Sequence, residues 1–211
     1  IKIPDLSKKI KKNFSLKKIK DNPFKILLIN ISTHFTKDRS ITEYDVVEPP
    51  LGLIALQSYL NHVFNDEIEG KIIKSRIDFD SYEEMKQLIE NFSPDLIGVS
   101  AMTFHKDFFH EAVSEIRKNG YTKTIIVGGP HPTTSYEEVL KDENIDICAI
   151  GEGEQILAEV VDKLIKNNSQ KLDRNQLELI DGIAFTEKKS DKKFLKINKN
   201  IENTNKEIQI N

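Results

Sequence analysis

Between residues 24 and 168, short apolar runs alternate with longer stretches in which apolar residues recur at helical spacing. The runs are 24–31 (FKILLINI), 71–77, 96–100, 124–128 and 145–150, all rich in Ile and Val. Mostly apolar character, rather than strict alternation, is what parallel strands covered on both faces favour. The intervening stretches carry Leu53, Leu56, Leu60 and Val63; Met85, Leu88, Ile89 and Phe92; Phe109, Ala112, Val113 and Ile116; Tyr136, Val139 and Leu140. A last one carries Ile156, Leu157, Val160, Val161, Leu164 and Ile165. Spacing of i, i+3, i+4 predicts helices with one buried stripe each. Ser81 with Glu84 and Ser135 with Glu138 have capping-box spacing, Pro50 suits a first helical turn, and Gly120 suits a helix end.

Strands joined by helices through short connections impose right-handed crossovers. The pattern therefore predicts an α/β fold: a flavodoxin-like, doubly wound, five-stranded parallel sheet of order 2-1-3-4-5, over residues 24–168. In such a sheet ligands bind beyond the carboxyl ends of the strands, where the strand order reverses. On either side the composition shifts. Residues 1–23 form a basic arm; the first 25 residues hold nine lysines against Asp5 and Asp21, with Leu6, Ile10, Phe14 and Ile19 near helical spacing. Residues 169–211 are polar, and only 180–185 and 194–197 read as strands, a small β-hairpin extension ahead of a polar tail.

Composition removes several function classes. At 211 residues, 38% hydrophobic and 31% charged, the chain suits one globular domain with appendages rather than a disordered segment. No stretch approaches the ~18–20 apolar residues of a spanning helix, and no signal-like core stands at the N-terminus, so a cytoplasmic protein is expected. A net charge of −3 supplies no basic footprint for nucleic acid. The single cysteine, Cys148, excludes an internal disulfide and any site built on several thiolates of this chain. It lies within an apolar run and reads as a buried structural thiol.

Candidate chemistry gathers behind the strands. After the first comes 30–34 (NISTH) and then Glu48-Pro49-Pro50-Leu51-Gly52; after the third, Ser100-Ala101-Met102-Thr103-Phe104-His105. After the fourth comes Gly128-Gly129-Pro130-His131-Pro132, and after the fifth Gly151-Glu152-Gly153-Glu154. Glycine lets backbone approach a ligand closely. No GxxxxGK[ST] loop is present, Ile156 stands where the dinucleotide fingerprint needs its third glycine, and two carboxylates would repel a pyrophosphate. The edge suits a large ligand bearing amides and hydroxyls. His62 and His110 fall on helices and are expected to face solvent, with no zinc spacing between them.

The segments Pro49–Leu53, Pro94–Ser100, Val127–Thr133 and Gly151–Glu154 together resemble the N-terminal cobalamin-binding domain of cobalamin-dependent radical S-adenosylmethionine enzymes. The resemblance covers about 24–168, and 180–185 is similar to the hairpin that links that domain to a catalytic barrel. It implies that cobalamin is bound with its nucleotide tail in the sheet edge. Ser100 and Met102, with Gly128 and Gly129, would line the slot for the benzimidazole tail. Pro50, Leu51, Gly52, Thr103 and His105 would lie near the corrin, and Gly151, Glu152, Gly153 and Glu154 near the ribose or the corrin amides. His131, held between Pro130 and Pro132, is expected to touch the cofactor.

Two departures from the family pattern matter. The Asp-x-His-x-x-Gly element of other cobalamin domains is reduced here to His34, with Ser32 and Lys37 in place of aspartate and glycine. Without a carboxylate to orient the ring, His34 is not expected to ligate cobalt. The family's 4Fe-4S cluster sits on Cys-x-x-x-Cys-x-x-Cys, which one cysteine cannot supply. The expectation is a cobalamin module excised from a longer methyltransferase or related enzyme, whose S-adenosylmethionine-binding barrel would follow as a C-terminal partner. Two other readings are a cofactor-free flavodoxin-like signalling or interaction domain and a flavin carrier. The first lacks carboxylates after strands one and three, and the second has too few aromatic stacking residues.

Overall fold

The computed structural model describes residues 20–31, 34–36, 48–189, 192–198 and 206–210. The basic arm expected over 1–23 lies almost wholly outside the described residues, as does the tail beyond 210. In chain order the elements are β1 (Phe24–Ile31), α1 (Leu51–Phe64), β2 (Ile68–Lys74), α2 (Tyr82–Phe92), β3 (Leu96–Ala101) and α3 (Lys106–Lys118). There follow β4 (Thr124–Gly128), α4 (Pro130–Val139), β5 (Ile147–Ala149), α5 (Gly153–Lys166), the short α6 (Arg174–Leu177), β6 (Ile183–Lys189), β7 (Lys192–Asn198) and β8 (Lys206–Ile210). One sheet contains all the strands in the order β2-β1-β3-β4-β5-β6-β7-β8. Its first five strands are parallel and have the expected 2-1-3-4-5 order.

The hairpin of β6 and β7 continues this sheet rather than standing apart from it. β6 pairs antiparallel with β5, matching Cys148 with Ala184. Gly182, at φ +75°, turns the chain into that pairing, and its carbonyl accepts the Ile150 N–H at 2.8 Å. A further strand, β8, pairs antiparallel with β7 in a stretch that composition marks as tail.

Local chemistry explains where the elements begin and stop. Ser81 caps α2, its hydroxyl accepting the Glu84 N–H at 3.2 Å, while the Glu84 carboxylate takes the Asp80 N–H at 2.6 Å. Gly120 follows α3 at φ +88°. Ser135 marks a break inside α4: its backbone is non-helical (φ −130°, ψ 31°), so one helical segment runs from Pro130 to that point and a second follows it, and the expected start at Ser135 is a restart rather than the first turn of the helix. β2 begins and ends three residues earlier than the apolar run. After Lys74 the chain turns through Arg76 at φ +67°, with the Asp78 carboxylate accepting the Lys74 N–H at 2.8 Å. Ile77, though apolar, is left 56% exposed in that turn.

Alternation along each parallel strand divides the core. Leu27, Ile29, Ile31, Ile97, Val99, Ala101, Ile125, Val127 and Cys148 face α2, α3 and α4, where Met85, Phe108, Phe109, Val113 and Val139 cover them. Ile26, Leu28, Leu96, Ile126, Ile147 and Ala149 face α1 and α5, opposite Leu53, Leu60, Leu157, Val160 and Leu164. Among the described residues, it is the second face that leaves a cavity at the carboxyl end of the sheet.

Candidate functional site

Strand register explains the gap. Leu28, Gly98 and Ile126 stand level in β1, β3 and β4, and the next residues outward on the same face are Asn30, Ser100 and Gly128, with Ala149 beside them on β5. Small side chains at Gly98, Ser100, Gly128 and Ala149 leave a cavity of about 380 Å³ between the sheet and the first turns of α1 and α5. Leu53 and Leu56 of α1 and Leu157 of α5 form the opposite wall. Its mouth is ringed by Pro50, Leu51, Gly52, Met102, Gly129, Gly151, Glu152, Gly153 and Glu154.

Two glycine turns shape the rim. Gly129 sits at φ +101°, and a Cβ there would lie 3.1 Å from Ser100 Oγ and 3.2 Å from the Ala101 carbonyl oxygen. Gly151 is at φ +90°, and its N–H donates to Thr133 Oγ1 at 3.2 Å, fastening the turn after β5 to the first turn of α4. Gly153 lets α5 approach α1, since its missing Cβ would meet Leu56 Cδ2 at 3.1 Å. Behind α1, the buried Lys74 ammonium donates to the Glu48 carbonyl at 2.7 Å and ties the segment before Pro49 to β2. Burial pulls the pKa of this lysine down, and the Glu48 carboxylate partly opposes that pull.

Of the residues singled out from the sequence, Pro50, Leu51, Gly52, Ser100, Met102, Gly128, Gly129, Gly151, Glu152, Gly153 and Glu154 are brought together around one cavity. Thr103 and His105 lie just beyond its lining, in a single helical turn after β3. There the His105 ring stands 5.0 Å from that of His34, which stacks on Phe108 at 4.9 Å. Leu51 and Phe104 leave apolar side chains 70% and 90% exposed along this edge.

His131 and Pro132 lie elsewhere. α4 begins at Pro130, and its first turn buries both residues; His131 packs against Phe109 and His110 on the opposite face, and neither residue lines the cavity. His131 is 2% exposed, lies edge-on to Phe109 and His110, and has no hydrogen-bond partner on either ring nitrogen. Burial holds its pKa below the ordinary histidine range; His110 and Lys106 add to this effect and Glu138 opposes it. Nor does His110 simply face solvent. Its Nδ1 is 2.7 Å from Asp142, a carboxyl lowered in pKa because bonds from His110 and Asn144 outweigh its own burial. Cys148 is buried as expected, with its thiol pushed up to about 12.

Leu28, Asn30, Leu53, Leu56, Gly98, Ile126, Ala149 and Leu157 also line the cavity and were not singled out from the sequence. Their signal was the period of two: Gly98 and Ser100, like Gly128 on the next strand, are small residues on one face of the sheet. Among the described residues there is no His, Cys, Asp and Glu cluster able to hold a metal ion, and no helix long and apolar enough to cross a membrane.

Residues 40–161 match the family model of the B12 binding domain. An uncharacterized methyltransferase of Pyrococcus horikoshii is 32% identical over 127 residues, which is 58% of this chain and 26% of that protein. Among solved structures, the cobalamin-dependent S-adenosylmethionine radical enzyme OxsB, with aqua-cobalamin and S-adenosylmethionine bound, superposes with a TM-score of 0.63 at 19% identity. That match covers 84% of this chain and 22% of OxsB. The radical S-adenosylmethionine methyltransferase TsrM from Kitasatospora setae gives a TM-score of 0.62 at 18% identity, over 85% of this chain and 30% of its own. The chain thus spans about a quarter of the curated relative it matches.

Proposed function

Because the chain belongs to the B12-binding domain family, we propose that the cavity under α1 and α5 receives the nucleotide tail of cobalamin while the corrin rests on the strand ends above it. The observation that carries this reading is the cavity itself, about 380 Å³ deep inside a sheet edge and floored by Gly98, Ser100, Gly128 and Ala149. The donor set fits the group. Among the described residues no Lys or Arg lines the cavity, so the described walls suit a neutral aromatic ring, while Ser100, Glu152 and Glu154 offer oxygens to hydroxyl and amide hydrogens at the mouth. When bound, cobalamin supplies a cobalt centre able to carry a methyl group, and the protein supplies binding and orientation.

Each residue has a part in that reading. Gly129 would admit the tail past Ser100 without a side chain in its way, and the Gly151 to Thr133 bond would hold the rim in shape. Pro50, Leu51 and Gly52, with Met102, Thr103 and His105, would lie under or beside the corrin. Leu51 and Phe104 would become covered by the corrin or by a partner domain. His131 and Pro132 are assigned to the core.

The fuller activity is that of a cobalamin-dependent radical S-adenosylmethionine methyltransferase or related enzyme. Its 4Fe-4S cluster and S-adenosylmethionine would be held by a barrel domain C-terminal to this chain. The reading is supported by the small share of each relative that the chain spans and by what OxsB and TsrM are. Hydroxocobalamin mixed with the chain should stay with the protein peak through gel filtration, with circular dichroism confirming the fold. A folded chain that sheds all corrinoid at millimolar excess would favour a cofactor-free interaction domain. A Cys-x-x-x-Cys-x-x-Cys run encoded downstream of residue 211 is expected, and its absence would remove the radical assignment.

A further inference from the structure

The cavity is polar only in its outer row. Asn30, Ser100 and Gly128 form that row, whereas one step deeper, roughly 6–7 Å along the strands, stand Leu28, Gly98 and Ile126. Leu53, Leu56 and Leu157 face that deeper row from the helices, so among the described residues every side chain there is hydrocarbon. Backbone groups of the floor offer little more, because β3 is hydrogen-bonded to β1 on one side and β4 on the other. At the centre, Gly98 leaves a bare stretch of backbone; a Cβ would lie 2.7 Å from Leu28 Cδ2.

From this layering, and resting on the assignment of the cavity to the tail, we propose that the site selects corrinoids by their lower base. It takes a benzimidazole or another apolar arene and discriminates against a purine. A dimethylbenzimidazole ring presents carbon and methyl groups as its leading edge. Adenine would carry an exocyclic amine and ring nitrogens into the leucine-lined end, and a buried donor or acceptor without a partner weakens binding by roughly tenfold or more.

The test titrates the folded chain with three probes, followed by visible absorbance: cobalamin, the cobamide carrying adenine as lower base, and cobinamide, which has no tail. Cobalamin should bind on the order of tenfold or more tighter than the adenine cobamide. Leu56→Gln places an amide on the half-buried α1 wall and should bring the two to within about threefold. If cobalamin and the adenine cobamide bind equally in the wild type, both more tightly than cobinamide, base selection is overturned while the tail slot stands. If cobinamide binds as tightly as cobalamin, or nothing binds, the tail-slot reading itself fails. The wild-type comparison decides the matter should Leu56→Gln not fold.

Discussion

The two faces of one sheet are built from neighbouring residues and end in opposite states. Toward α2, α3 and α4 the strands present Ile97, Val99, Val127 and Cys148, and Phe108 and Phe109 fill the space to the carboxyl edge. Toward α1 and α5 the interleaved residues shrink to Gly98, Ser100, Gly128 and Ala149, and about 380 Å³ stays open. The backbone is common to both, so the site arises from omission of side chains on one face. Substitution on the filled face should therefore cost stability, and substitution on the open face should cost binding.

The largest expected effect is on the filled face. Phe109→Ala should lower unfolding free energy by about 3–5 kcal/mol in a denaturant titration, while the fraction still folded binds cobalamin as wild type does. Selective loss of binding without loss of stability would break the division. Gly129→Ala straddles the two faces: its left-handed backbone costs roughly 1–3 kcal/mol with a side chain present, and its Cβ crowds Ser100. It should lose both stability and cobalamin affinity.

The buried His131 gives a pH signature confined to the filled face. Its folded pKa lies below its unfolded value, so below about pH 6.5 the unfolded chain takes up a proton that the native ring refuses. Stability should thus be full above that pH and fall as pH drops through it, by at most about 1.4 kcal/mol per pH unit. His131→Phe should remove this part of the slope in urea titrations at stepped pH. An unchanged slope would mean that the ring is not held neutral in the core.

How much of this was legible in the sequence follows from what each face shows locally. The inner parallel strands β1, β3, β4 and β5 read as mostly apolar runs because both of their faces are covered, whereas the edge strand β2 carries Glu69, Lys71 and Lys74; the glycine turns at residues 128–129 and 151–153 announce the carboxyl edge. The floor was not legible, because Gly98 and Ala149 sit inside those runs and look like ordinary core until strand register puts them beside Ser100 and Gly128. His131 misled in the opposite sense: its flanking prolines suggest a rim turn, yet Pro130 starts a helix that carries it inward. β2 was displaced because hydropathy sees Ile77 but not the Arg76 turn. β8 and the joining of the hairpin to β5 depend on long-range pairing that local composition does not carry.

Smaller effects sharpen the comparison further. Ser100→Ala, on the open face, should leave the unfolding midpoint within about 0.5 kcal/mol and weaken cobalamin by the order of one hydrogen bond, ~0.5–1.5 kcal/mol. Cys148, on the filled face with its thiol raised to about 12, should resist alkylation in the native protein and react only on unfolding. Native-state labelling would show that this face opens.

The central claim, that the open face holds the corrinoid tail, is tested most directly with Gly128→Val. A Cβ at Gly128 has only Ala149 within 4 Å, at 3.6 Å, and its backbone is ordinary strand, so the variant should fold. Its isopropyl group would stand in the cavity. Titrated with cobalamin and cobinamide, the wild type should prefer the tailed ligand by on the order of tenfold or more, an advantage of at least ~1.4 kcal/mol. Gly128→Val should bind both with the weak affinity of cobinamide. A folded Gly128→Val protein that kept the full preference for cobalamin would contradict the account.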